Sequence, residues 1–155
     1  MRRFVAFVGG FVAAEPSFAQ EIAQPPPYCA DLKRVTEVAM GRDRLVPITG
    51  NPRDGNFYTT TQLLTGWSDC SIYGTGIYTC DSEPIRNAEE AHNRQAATMR
   101  DVLACLGTAW AEVKDRSSPG YVVLHPLRGA ISVTLSLDEK DRAGHVVRLT
   151  VFIRR

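Results

Sequence analysis

The side chains that could do chemistry in this chain are few and widely spaced. It has three histidines, His92, His125 and His145. A serine hydrolase needs one of them beside an activated serine, with a third group orienting the ring. The G-x-S-x-G turn that presents such a serine is absent. His125 ends an apolar run before Pro126, and His145 opens another after Gly144, so both read as strand-end residues. Glu89 and His92 have the E-x-x-H spacing, which puts a carboxylate and an imidazole on one helix face. A di-iron site would need a second copy and two further glutamates, so this pair reads as a solvated first helical turn. Gly74-Thr75-Gly76 is half of a dinucleotide fingerprint, without its third glycine or a helix to follow, and reads as a turn. Asp138-Glu139-Lys140-Asp141 lacks the D-x-D-x-D-G order of a calcium loop and reads as a solvated hairpin loop. No catalytic set, metal site or cofactor site is expected from these motifs.

The cysteines say more. Cys29, Cys70, Cys80 and Cys105 include no C-x-x-C pair, so a zinc site is not expected. An even number behind an export signal reads as two disulfides. The export signal is the start of the chain. Arg2 and Arg3 precede an apolar run from Phe4 to Ala14, and Ser17-Phe18-Ala19 places small residues where a signal peptidase reads. Cleavage is expected after Ala19, with Ala23 as the alternative site. Removing residues 1–19 leaves 16 basic and 16 acidic residues of the original 18 and 17. A formally neutral chain with no long basic block is not expected to bind nucleic acid through phosphate neutralisation. It holds no apolar stretch long enough to span a membrane, the run from Phe4 to Ala14 included. A periplasmic or secreted location follows.

These residues have to be positioned by a single domain. The chain has 155 residues, 44% apolar and 23% charged, which suits one globular unit. Residues 20–28 read as an extended, proline-ended lead-in, and residues 29–155 as the domain. Cys29 to Met40 carries Leu32, Val35 and Ala39 at helical spacing and is closed by Gly41. Residues 42–55 read as a loop with Leu45-Val46 as a short edge strand, and residues 57–64 as a strand. Cys70 to Cys80 is symmetric about Thr75 and reads as a hairpin. A long helix follows, capped by Asp81 or Ser82, with Met99, Val102, Leu103, Leu106, Trp110 and Val113 in one stripe and Gly107 as its weak point. Three alternating strands close the chain. The expected fold is α+β: one antiparallel sheet of about five strands, two helices on one face, in the order α-β-β-α-β-β-β.

This geometry also selects the disulfide pairing. Cys70 and Cys80 face each other across the hairpin. A straight helix carries Cys105 about 30 Å from its start, past both hairpin cysteines. The expected bonds are therefore Cys70–Cys80 and Cys29–Cys105, a choice that a kinked or late-starting helix would undo.

The spacing Gly66-Trp67-x-x-Cys70-x-Ile72, Tyr78-x-Cys80 and Cys105-Leu106-Gly107-x-x-Trp110, followed by the alternating strands, resembles small exported four-cysteine proteins of alphaproteobacteria over most of the domain. The resemblance implies export and disulfides. It implies no activity and transfers no catalytic residue.

The expected function is a non-catalytic binding or inhibitor-like module acting on a protein or an envelope component. Trp67, Phe152, Arg148 and Arg154 are the candidate partner contacts. They belong with a sheet face of Thr59, Thr61, Ser132, Thr134, Ser136 and Thr150, which otherwise reads as plainly solvated. Trp110 reads as core. One alternative is a small hydrolase of cell-wall or polysaccharide substrates, drawing carboxylates from Asp69 or Asp81 with Glu83. Another is a structural envelope protein.

Overall fold

The computed structural model describes residues 24–140 and 144–154. The expected signal segment and the start of the lead-in lie outside these residues. The first helix, α1 (Cys29–Met40), forms where its apolar spacing places it. Leu32, Val35 and Ala39 are buried on its inner stripe, and the Gly41 N–H closes it on the carbonyls of Glu37 and Val38.

Four strands follow: β1 (Thr49–Pro52), which forms where a loop was expected, β2 (Phe57–Thr60), within the expected strand at 57–64, and the expected hairpin of β3 (Ser68–Tyr73) and β4 (Ile77–Asp81). Leu45 and Val46 are not an edge strand. They lead into a single 3-10 turn, Val46–Ile48, and the edge strand comes just after it. The β3–β4 hairpin turns at Gly74, whose φ of +58° suits a residue without a side chain.

The second helix, α2 (Ala88–Leu106), starts later than expected. Its cap is Asn87, whose side chain accepts from the Glu90 N–H. Ser82 is used elsewhere, accepting from the Val147 N–H at 3.0 Å. Gly107, at φ +77°, ends the helix, so Trp110 and Val113 leave the helical stripe. Trp110 instead begins a short strand, β5 (Trp110–Glu112), while still packing on the core. Then come β6 (Tyr121–Pro126), β7 (Ile131–Lys140) and β8 (Gly144–Ile153). Asp138, Glu139 and Lys140 are the end of β7 rather than a loop, with Glu139 and Lys140 exposed as expected, and Asp141 lies outside the described residues.

All eight strands join one antiparallel sheet in the order β1-β2-β3-β4-β8-β7-β6-β5. The sheet is larger than expected because β1 and β2 extend one edge and β5 the other. Period-2 alternation then sorts the side chains by face. Ile72, Tyr78, Val151 and Val133 lie side by side across β3, β4, β8 and β7. They form the core with Leu32 and Val35 of α1 and Val102 of α2.

Both disulfides form as the geometry selected: Cys70–Cys80 across the hairpin, and Cys29–Cys105 between the helices. The late start of α2 leaves the pairing intact because Cys105 still lies in its last turn, beside the start of α1. In the chain-entropy account the long closure contributes about 4.5 kcal/mol and the short one about 3 kcal/mol. No helix among the described residues is long and apolar enough to cross a membrane.

Candidate functional site

The opposite sheet face is neither flat nor plainly solvated. It holds a hollow of about 630 Å³, lined by side chains from β2, β3, β4, β8, β7 and β6. Three rows of residues cross it, each set by strand register.

The first row is apolar and aromatic. Phe57 pairs with Tyr73, Tyr73 with Ile77, and Ile77 with Phe152. At a strand spacing of about 4.8 Å, these four side chains span about 14 Å. The Phe57 and Tyr73 rings lie 5.0 Å apart, tilted by 54°. Both are well exposed, at 46% and 42%.

The second row carries hydroxyls. Ser71, Thr79, Thr150 and Thr134 follow one another across β3, β4, β8 and β7. The Thr79 and Thr150 hydroxyls share a hydrogen bond of 3.2 Å. Thr134 and Thr150 are buried, as is Ser132 nearby, which corrects the expectation of a solvated face.

The third row is ionic. Asp81 on β4 pairs in register with Arg148 on β8. Arg148 Nε and Nη2 donate to the two Asp81 carboxylate oxygens at 2.7 and 2.9 Å. Arg148 Nη1 lies 2.6 Å from Asp138, and Lys140 Nζ 2.9 Å from Asp81. Burial pushes the Asp81 carboxyl upward, but the hydrogen bonds and charges of Arg148 and Lys140 outweigh it and hold the group below its ordinary value. The same bonds raise the Arg148 guanidinium. Two cations and two anions thus neutralise one another.

Beyond Phe152 the hollow continues into a basic end lined by Arg116, His125 and Arg154 with Tyr121, Ser132 and Thr134. Arg154 Nη2 donates to the Gly129 carbonyl at 2.7 Å. Burial, then the charges of Arg154 and Arg116, hold the His125 imidazole below its ordinary value against a smaller opposing effect of Asp115. Its Nε2 is buried without a partner among the described residues.

The structure divides the candidate contacts. Phe152 and Arg148 lie inside the hollow, and Arg154 lies at its basic end. Trp67 does not line it. The indole packs edge-on against Tyr28, 5.7 Å between centroids, beside the core. Thr59 spends its hydroxyl on the backbone of Asn51, and Thr61 bonds Ile48.

Of the hydrolase carboxylates, Asp69 and Asp81 both line the hollow, each with cationic partners, Asp69 with Arg53 and Asp81 with Arg148 and Lys140, while Glu83 is exposed outside the lining. His92 is exposed on α2, and His145 forms a backbone bridge with Ile85. No group of three or more histidine, cysteine, aspartate or glutamate side chains is placed to hold a metal among the described residues.

Sequence reasoning missed Phe57, Tyr73, Ile77, Asp138, Lys140 and Arg116. The hairpin symmetry about Thr75 does place Tyr73 opposite Ile77. Their alignment with Phe152 depends on the β4–β8 register, and no local signal carries that.

Compared with known proteins, the chain matches no family model, no curated protein and no solved structure.

Proposed function

We propose that this protein is an exported, non-catalytic binding module that receives an envelope or secreted partner in the hollow of its sheet. The observation that carries this reading is the exposed aromatic row beside a hydroxyl row, in a hollow whose central charges are satisfied by one another. Ligand sites combine apolar and aromatic lining with a few placed polar groups in this way, at volumes of about 300–1,000 Å³. Export is supported by the two disulfides, by the N-terminal signal pattern, and by the resemblance to small exported proteins of alphaproteobacteria.

The hydrolase alternative calls for a carboxyl held protonated to act as general acid. The carboxyl at the centre of this hollow is held ionised, which disfavours that reading. A structural envelope role remains as an outcome of the test. Oxidised protein is used to capture partners from periplasmic and envelope extract, beside Tyr73→Ala and reduced samples. A partner retained by the wild type and lost with Tyr73→Ala is the expected result. Equal retention by both, or no retention by either, contradicts a binding surface in the hollow.

A further inference from the structure

The hollow has a polarity that the general reading does not use. Its centre is electrically closed, and its far end is not. Arg116, His125 and Arg154 line that end, no acidic side chain lines it, and neither arginine forms an ion pair among the described residues. The Gly129 carbonyl fixes the Arg154 guanidinium without neutralising it. Tyr121, Thr134 and Phe152 line both the main hollow and this end, so the two are continuous.

We infer that the ligand is a carboxylate-bearing glycan, its sugar rings on the Phe57–Tyr73–Ile77–Phe152 row and a carboxylate at the Arg116–Arg154 end. The inference rests on the binding reading above and names the chemistry of its partner.

Three features carry it. A pyranose ring has an apolar C–H face and a rim of hydroxyls. The hollow offers the complement of both, an aromatic row parallel to a row of Ser71, Thr79, Thr150 and Thr134 hydroxyls. Charge complementarity then selects among glycans. In the main hollow Arg53, Lys140 and Arg148 are set against Asp54, Asp69, Asp81 and Asp138, so it offers no net positive charge to a ligand, while the basic end offers two guanidinium groups, whose planar forks suit carboxylates. A peptide fits less well. Strands β3, β4, β8 and β7 are each paired on both sides, so within the hollow there is no open strand edge to which an extended peptide could add.

The test compares oligosaccharides of equal length on oxidised protein by titration calorimetry. Tetragalacturonate is the acidic probe and cellotetraose the neutral one. Acidic binding is expected to be about tenfold tighter, the equivalent of one charge-assisted hydrogen bond. That advantage shrinks at about 0.5 M salt, where surface charges are screened. The Arg116→Gln/Arg154→Gln double variant, with both changes at exposed positions, loses the advantage and keeps the neutral affinity. Tyr73→Ala weakens both probes. An acidic advantage that is absent, or that survives in the double variant, overturns the inference. If neither probe binds while a protein partner is still captured in a Tyr73-dependent way, the glycan inference fails and the binding reading stands. If Tyr73→Ala changes neither probe nor capture, both fail together.

Discussion

The two faces of this sheet are made by the same strands with the same alternation, and they end up doing opposite things. Leu149 and Thr150 are neighbours on β8, and both are buried. Leu149 points into the helix-covered core, and Thr150 points into the hollow. On the first face burial comes from two helices held together by Cys29–Cys105. On the second, Ser71, Thr134 and Thr150 are buried as residues yet line the hollow, beside an aromatic pair, Phe57 and Tyr73, that stays exposed. Burial on the covered face therefore supports stability. On the hollow face it leaves a shaped surface available to a ligand.

The comparison is broken most severely by reduction. Opening Cys29–Cys105 with the Cys29→Ser/Cys105→Ser double variant should lower stability by about 4.5 kcal/mol, read from the urea midpoint. A loss confined to the hollow's binding, with no shift of the midpoint, would place the staple on the wrong face.

Next in size is Leu149→Ala, which empties a fully buried core position. It should cost about 2–5 kcal/mol. Its neighbour change Thr150→Ala removes a γ-methyl and the hydroxyl that shares a hydrogen bond with Thr79, for about 1–2 kcal/mol. The sharper contrast is functional: Thr150→Ala should weaken ligand binding, and Leu149→Ala should spare it wherever the protein is folded.

The ionic row is third. Asp81→Asn removes the charge that Arg148 and Lys140 share and should cost about 1.5–3 kcal/mol. Asp81 also gives the wild type an acid limb. Its carboxyl is lowered in the folded state, so its contribution is full above the ordinary carboxylate value and is lost as pH falls through the lowered folded value. A pH series of urea midpoints should show that limb in the wild type and a weaker one in Asp81→Asn.

The smallest stability effect belongs to the most exposed part of the hollow. Tyr73→Ala should lower stability, read from the urea midpoint, by about 0.5–1.5 kcal/mol through the lost ring contact with Phe57 while reducing partner capture. A large stability loss there would turn the aromatic row into core.

Much of this was legible from the residues. The apolar spacing of Leu32, Val35 and Ala39 gave α1, the symmetry about Thr75 gave the hairpin, and that hairpin with the length of the second helix gave the disulfides. Local chemistry failed where tertiary pairing decides. β1 carries Gly50 and Pro52, which read as loop residues but are tolerated at a sheet edge. Trp110 continues the helical spacing of Leu103 and Leu106, yet Gly107 turns the chain out of the helix first. Asp138 and Lys140 read as solvated because Arg148 and Asp81, which engage them, lie at the far end of a register. Phe152 stood out as an aromatic on a polar face, and the structure places it in the aromatic row. The hollow itself draws its lining from six strands, and period-2 alternation within one strand does not encode which others lie beside it.

The most direct test of the account is an amide-shift map of isotope-labelled, oxidised protein titrated with tetragalacturonate. The account predicts shifts concentrated at Tyr73, Thr79, Thr150 and Phe152 and at the Arg116–His125 end, with α1 and α2 unmoved. Shifts confined to the helices or to the exposed Leu127, or no shifts at all, would contradict it.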